Sequence, residues 1–308
     1  MKPIFKVSLY FLIVLVGSII GQIFLGAELY KLGIAPPFRL IILHLVLFIT
    51  PAIIYIVVTK SNYKKVFSLK KPRMIDIFYA LLIAALSQPV MALFSYIASF
   101  FTVDNVSLML NQMNTYPVWL MIIVVGVTPA ITEEITIRGI VLSGFEFKGK
   151  NVAAIMSGIM FGILHLNAYQ FLYATVMGMI LAYVVRATGS IYLSMLIHFS
   201  VNTFNLLLQR INNSGIHTDD LLHQINSMKN WPIQLKIELF FYYLIFAIVA
   251  VVLISFLIRR MEKGNLNITL DELDVATRVS YKEEKILNIP IILSFVVFIS
   301  YTYFLYFR

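Results

Sequence analysis

Six residues in this chain of 308 have the types and the spacing for hydrolytic chemistry: Glu133, Glu134, Arg138, His165, His198 and Asn202. They fall within one stretch of 70 residues, on three separate apolar runs. At about 100° per residue, Glu134 and Arg138 (i, i+4) share a helix face, in the favourable order for an ion pair. Glu133 is turned roughly 100° from Glu134 and roughly 140° from Arg138, so it must find partners on other helices, with His165 and His198 as candidates. His198 and Asn202 again stand one turn apart and present two hydrogen-bonding groups on one face. Phe161 and His165 repeat that spacing. A carboxylate and an imidazole beside one water make a general-base pair. A second histidine next to a carboxamide supplies donors for an oxyanion forming on an attacked carbonyl. No Ser, Cys or Thr is required, and the chemistry is hydrolysis of an amide by water. Pro129, four residues ahead of Glu133, removes one backbone donor and predicts a kink with room for water beside the carboxylates.

The elements that must hold these groups are helices in lipid. Sixty per cent of the residues are hydrophobic and only 13% are charged, against roughly a quarter charged in a soluble domain. Strict period-two alternation, the mark of a membrane barrel, is absent. A span needs about 20 apolar residues, and nine runs approach that: about 5–26, 38–59, 75–101, 118–145, 152–166, 169–186, 190–209, 237–258 and 289–307. The fifth and sixth are short and share a tight turn near Leu166–Ala168. The expected fold is therefore all-α, a polytopic transmembrane bundle of about eight or nine spans in a single membrane domain, 1–308. An ionisable side chain at mid-bilayer costs about 2.5–3.5 kcal/mol on insertion scales. Apart from the cluster, the deep interior of the spans holds only His44, which has no partner by sequence and reads as a core or interface histidine.

Charge supplies the orientation. Lys60, Lys64, Lys65, Lys70, Lys71 and Arg73 form one loop without an acid, and such loops stay in the cytoplasm. Alternation from there places the N-terminus inside, with 17 Lys and Arg on cytoplasmic segments, six outside and Arg138 within a span. The net charge of +9 is distributed between apolar runs, which speaks for membrane orientation and against a nucleic-acid surface. With no cysteine, disulfides, thiolate nucleophiles and Cys-based zinc sites are excluded. The loops 210–236, with Trp231-Pro232 as an interfacial anchor, and 259–288 read as solvated connectors.

Glu133-Glu134-Ile135-Thr136-Ile137-Arg138 reads EExxxR, Phe161 to His165 reads FxxxH, and His198 to Asn202 reads HxxxN. In this order, on separate spans, they resemble the three motifs of the CPBP family. That family comprises type II CAAX prenyl endopeptidases and the bacteriocin-processing and bacteriocin-immunity membrane proteins of bacteria. The resemblance covers about 118–210, expected as a CPBP-like four-helix catalytic core, and leaves 1–117 and 211–308 as accessory spans and loops. It implies a glutamate-dependent, metal-independent intramembrane endopeptidase without a cofactor, acting on a membrane-associated peptide or protein. Glu133 and His165 would activate water, His198 and Asn202 would stabilise the oxyanion, and Glu134 with Arg138 would hold the site together. Phe161 is the candidate substrate-binding residue. Thr136-Ile137, where many members carry aromatics, is a departure that touches the pocket.

Three other readings compete. Two His and two Glu could bind zinc, but no HExxH occurs and Arg138 would compete for the carboxylate. A non-catalytic partner of a sensor kinase or another membrane protein would keep its activity without Glu133. A transporter would carry an inverted repeat, which is not seen. The Lys-, Ile- and Asn-rich composition points to a bacterial plasma membrane, where pheromones, bacteriocin precursors or lipid-anchored leader peptides are the expected substrates.

Overall fold

A computed structural model describes residues 2–212, 231–265 and 275–306. The chain is an all-α, polytopic membrane bundle, and the described residues contain no strand beyond one isolated bridge, Leu69 to Ser190. Among the described residues, eight helices are long and apolar enough to cross a bilayer: α1 Pro3–Lys31, α2 Pro36–Thr59, α3 Met74–Ser99, α5 Val118–Val141, α7 Ala168–Thr188, α8 Ile191–Asn212, α9 Ile233–Lys263 and α11 Ile289–Tyr306. Between them lie α4 Asn105–Gln112, α6 Lys150–Leu164 and α10 Val275–Glu283, with a single helical turn at Tyr63–Val66.

The fifth candidate span of the sequence, 152–166, corresponds to α6, only 15 residues long. At 1.5 Å per residue it reaches about 22 Å, short of the roughly 30 Å of hydrocarbon. The connector 259–288 also differs from expectation. Its first residues continue α9 to Lys263, α10 follows, and only 266–274 lies outside the described residues. In the other loop, α8 runs on to Asn212 and Pro232 caps α9, so Trp231-Pro232 marks a helix start; 213–230 lies outside the described residues.

Lipid and protein interior are both apolar, so the helices show little hydropathy periodicity, yet their buried faces keep the helical period. On α1 the buried stripe is Ile4, Val7, Ser8, Phe11, Val14, Leu15 and Ser18, packed largely against α11 and α2. Ile20, Ile23 and Phe24 face outward. On α9 the stripe Ala247, Ala250, Ile254, Leu257 and Met261 lies against α3. The most buried of the eight is α5, which carries the paired glutamates and is surrounded by α1, α2, α6 and α8.

The most extensive pairing in the bundle is α6 with α7, and it brings Gly158 against Gly178 and Thr175, and Gly162 against Phe171 and Thr175. Without a hydrophobic drive between helices in lipid, close backbone approach is what holds such a pair. A Cβ on Gly158 would sit 2.6 Å from the Thr175 carbonyl, and one on Gly178 would sit 2.8 Å from the Gly158 Cα.

At one end of the bundle the loops assigned by charge to one side do converge. Glu284 accepts hydrogen bonds from the backbone N–H groups of Ile4 (3.0 Å) and Phe5 (2.9 Å), so it caps the start of α1. Arg73 clamps Asp76 with both Nε (2.8 Å) and Nη2 (2.6 Å), and Asn265 donates to the same carboxylate. Lys148 reaches the carbonyls of Lys282 and Glu284, and Ile191 N–H donates to the Ser68 carbonyl at 3.0 Å. Loops 60–73, 142–149 and 186–190 and the segments after α9 and α10 therefore share a single basic end.

The helix pairing gives a direct test. Gly158→Ala forces α6 off α7 and should cost about 1–3 kcal/mol, as overpacking does. Gly17→Ala, on α1 with nothing within 4 Å of the added carbon, should leave the thermal midpoint unchanged or slightly raised. Detergent-solubilised thermal unfolding followed by size-exclusion chromatography reads both; equal midpoints for the two variants would refute the close-packing account.

Candidate active site

Helix α5 is α-helical only in its first turn, Val118–Met121, and at its centre. The α-helical turns Thr128–Glu134 are bracketed by wide π-helical segments, Ile122–Val127 and Ile135–Val141. A third π-helical segment, Leu45–Ile49, interrupts α2 directly after His44. Such wide turns are uncommon and tend to lie at functional sites. Pro129 stands in the first turn of the central α-helical segment, directly after the first π-helical one. Pro129 has no N–H to give the Val125 carbonyl four residues back, and Asn202 Nδ2 from α8 donates to that carbonyl at 3.0 Å instead.

The glutamate pair divides as its helix geometry predicts. Glu134 and Arg138 are fully buried, with Oε1 3.1 Å from Nη1. Arg138 also donates from Nη2 to the Gly178 carbonyl on α7 at 3.1 Å, and its guanidinium lies 4.2 Å from the Phe161 ring centre. Glu134 Oε1 is in turn 3.0 Å from His198 Nδ1. Glu133 points away from this pair, and its Oε2 stands 3.9 Å from His198 Nε2, without a hydrogen-bond partner among the described residues.

The hydrogen-bond partners also decide how the imidazoles are protonated. The Phe161 carbonyl, 2.8 Å from His165 Nδ1, can only accept, so that nitrogen carries the proton and Nε2 is the free one. Glu134, neutralised by Arg138 as an anion, likewise accepts from His198 Nδ1 and leaves Nε2 towards Glu133. His44 follows the same pattern. The Thr132 hydroxyl gives its single hydrogen to the Thr128 carbonyl at 2.9 Å and must accept from His44 Nδ1 at 3.0 Å. Each of the three histidines is tied through Nδ1 and keeps Nε2 for something else.

These groups share the wall of one cavity of about 720 Å³ that includes His44, Glu133, Phe161, His165, His198 and Asn202. The Phe161 ring is central to the cluster: His165 and His198 meet it edge-on at 4.8 and 5.6 Å, opposite in kind to the stacked Arg138. It is buried, a wall and spacer between imidazoles more than an exposed recognition surface. Thr136 and Ile137 do not line the cavity. Tyr10 of α1 donates to the Thr136 hydroxyl at 3.5 Å and Ile137 is core, so the departure from the motif affects packing and leaves the pocket untouched.

Sequence reasoning missed His44. It lies on α2, nearly 90 residues before Glu133, yet it bonds the residue next to that glutamate and feels the charges of Glu133, His165 and His198. The available signal was its rarity, as an ionisable group deep in a span. Among the described residues, no three His, Asp or Glu side chains converge closely enough to hold a metal ion.

Residues 115–204 match the sequence model of the family described as Type II CAAX prenyl endopeptidase Rce1-like. A stretch of 107 residues, 34% of this chain, is 31% identical to YdiL, a candidate membrane peptidase of Bacillus subtilis (strain 168). That alignment spans 43% of the relative, less than half its length. No solved structure matches the chain. All three motifs lie inside the matched residues, and over 115–204 this chain is similar to the Rce1-like endopeptidases of the CPBP family, as its motifs indicate.

Proposed function

We propose that this chain is an intramembrane endopeptidase that hydrolyses a peptide bond in a membrane-associated peptide or protein, with Glu133 as the base that activates water. The observation that carries the reading is the division of the carboxylates. Glu134 is consumed by Arg138, while Glu133 stands free on a cavity wall, 3.9 Å from an imidazole nitrogen. That gap is too long for a direct hydrogen bond and fits a water bonded to both groups.

The roles follow from which atoms face the cavity. Glu133 accepts a proton from the water, whose oxygen bonds to the scissile carbonyl carbon. The resulting oxyanion is met by His198 Nε2–H and by the Asn202 N–H not engaged with Val125. When the C–N bond breaks, Glu133 returns its proton to the leaving amine. His165, with Nε2 free, is the second acceptor beside the water; His44 is a further one on the same wall.

The roles separate experimentally. Glu133→Gln is nearly isosteric and leaves the Glu134–Arg138 pair intact, so it should abolish cleavage (on the order of 10³-fold or more) with little change in thermal midpoint. Glu134→Gln leaves Arg138 as an uncompensated buried charge and should cost about 3–5 kcal/mol of stability as well as activity. Membrane peptidomes of cells carrying the wild type and Glu133→Gln, at matched protein levels, read the reaction. A peptide should fail to appear only with the variant; identical peptidomes, with full cellular activity retained, would point to the non-catalytic membrane-partner role. His44→Gln should lower turnover about ten-fold without abolishing it, which the same peptide reports; an unchanged rate would remove His44 from the mechanism.

A further inference from the structure

The cavity holding Glu133 and a second cavity open at opposite ends of the bundle. Glu133 and His198 lie at the floor of the first, in the halves of their helices nearer the basic end, and most of its remaining lining runs towards the other end. Gln22 and Gly26 lie towards the close of α1, Pro36 and Arg39 at the start of α2, Gln112 at the close of α4 and Gln170 at the start of α7. The second cavity, about 800 Å³, is lined from the other end, by Lys6, Lys64, Lys70, Lys150 and Arg186 among others. The two linings have no residue in common. They meet back to back at Arg138, which faces the basic cavity, and at Phe161, which faces the glutamate cavity, with 4.2 Å between the guanidinium and the ring. The tightly packed ion pair closes the way from the basic end to Glu133.

From this we infer that the peptide reaches Glu133 from the end opposite the lysine-rich loops, so that with those loops in the cytoplasm the substrate is a peptide segment presented at the outer side of the membrane. The inference rests on the endopeptidase reading and adds the side and the class of substrate. The charge bias that orients membrane proteins places the basic end inside, and the bundle gathers those basic segments at one end. The approach to the glutamate cavity suits an uncharged or anionic apolar chain. Met91, Met109, Met113 and Met177 give it adaptable apolar walls. Gln22, Gln112 and Gln170 offer amide groups, and Arg39, stacked at 5.2 Å on Tyr30, adds a positive charge. The basic cavity at the other end carries the opposite chemistry.

The chain contains no cysteine, so single cysteines report accessibility without a background. Gln112→Cys stands at the mouth of the glutamate cavity and Lys64→Cys in the basic one; both positions are exposed. A sulfonated, membrane-impermeant maleimide should label Gln112→Cys on intact cells and Lys64→Cys only after permeabilisation; any other pattern overturns the inference, whatever the chemistry at Glu133. Cleavage of the peptide lost in Glu133→Gln cells is then followed in each cysteine variant before and after labelling with a bulky maleimide. At least a ten-fold loss is expected for Gln112→Cys and less than two-fold for Lys64→Cys. Undiminished cleavage in labelled Gln112→Cys would overturn the route while leaving the endopeptidase reading standing. If no peptide depends on Glu133, that reading fails separately, and the labelling pattern still decides which side the cavity faces.

Discussion

A guanidinium with no access to water sits at the centre of this bundle, and its neutralisation organises the helices around it. Arg138 on α5 is paired with Glu134 on its own helix, accepted by the Gly178 carbonyl on α7 and stacked on Phe161 of α6. Glu134 passes the constraint to His198 on α8. One ion pair thus connects the three helices that carry the motifs with α7. The desolvation cost of two buried charges is large; the arginine's Nη2 is met by the Gly178 carbonyl, while Arg138 Nε and Glu134 Oε2 have no hydrogen-bond partner among the described residues. A carbonyl can reach the arginine because α6 and α7 approach so closely that their backbones nearly touch.

The requirement that backbone polar groups in lipid be satisfied within the protein bears on the irregular backbone of α5. The proline that leaves the Val125 carbonyl unsupplied is answered by a side chain from α8. Asn202 therefore has two tasks. One of its N–H groups repairs the helix that carries Glu133, which fixes where the other can point. His198 is similarly double-bound, with one nitrogen on a structural anion and the other beside a carboxylate left unpaired. Structure and chemistry are divided between the two ends of single side chains.

Much of this was legible in the residues themselves. The 100° step separates Glu133 from Glu134 and gives Arg138 to the latter, and the geometry agrees, even though the backbone widens to a π-helix just past Glu134. The burial stripes on α1 and α9 were not legible, because lipid accepts the same side chains as the protein core and hydropathy shows no face. The run 152–166 was already short of a full span by its length, and the helix it forms is no longer than that. His44 was hidden for a different reason. Its partner Thr132 is an ordinary residue with no pattern of its own, and only tertiary packing of α2 against α5 brings them together. The connector after α9 looked solvated because it is charged, but its charges are used to cap and clasp other segments: Glu284 holds the first turn of α1.

Those clasps bear on how the site can be reached. At the basic end, segments from five parts of the chain are bound to one another by backbone carbonyls, a two-pronged Arg73–Asp76 bridge and the capped start of α1. At the other end, the helix termini that line the glutamate cavity carry amide side chains and methionines, with few charged clasps among the described residues. That end has clasps of its own, with Arg210 on the Met113 and Tyr116 carbonyls and Gln209 on the Ser107 carbonyl, so the two ends differ chiefly in what stands between each of them and Glu133. The ion pair that neutralises Arg138 lies between the two ends, so the fastening that makes the glutamate cluster stable is also what confines access to a single side.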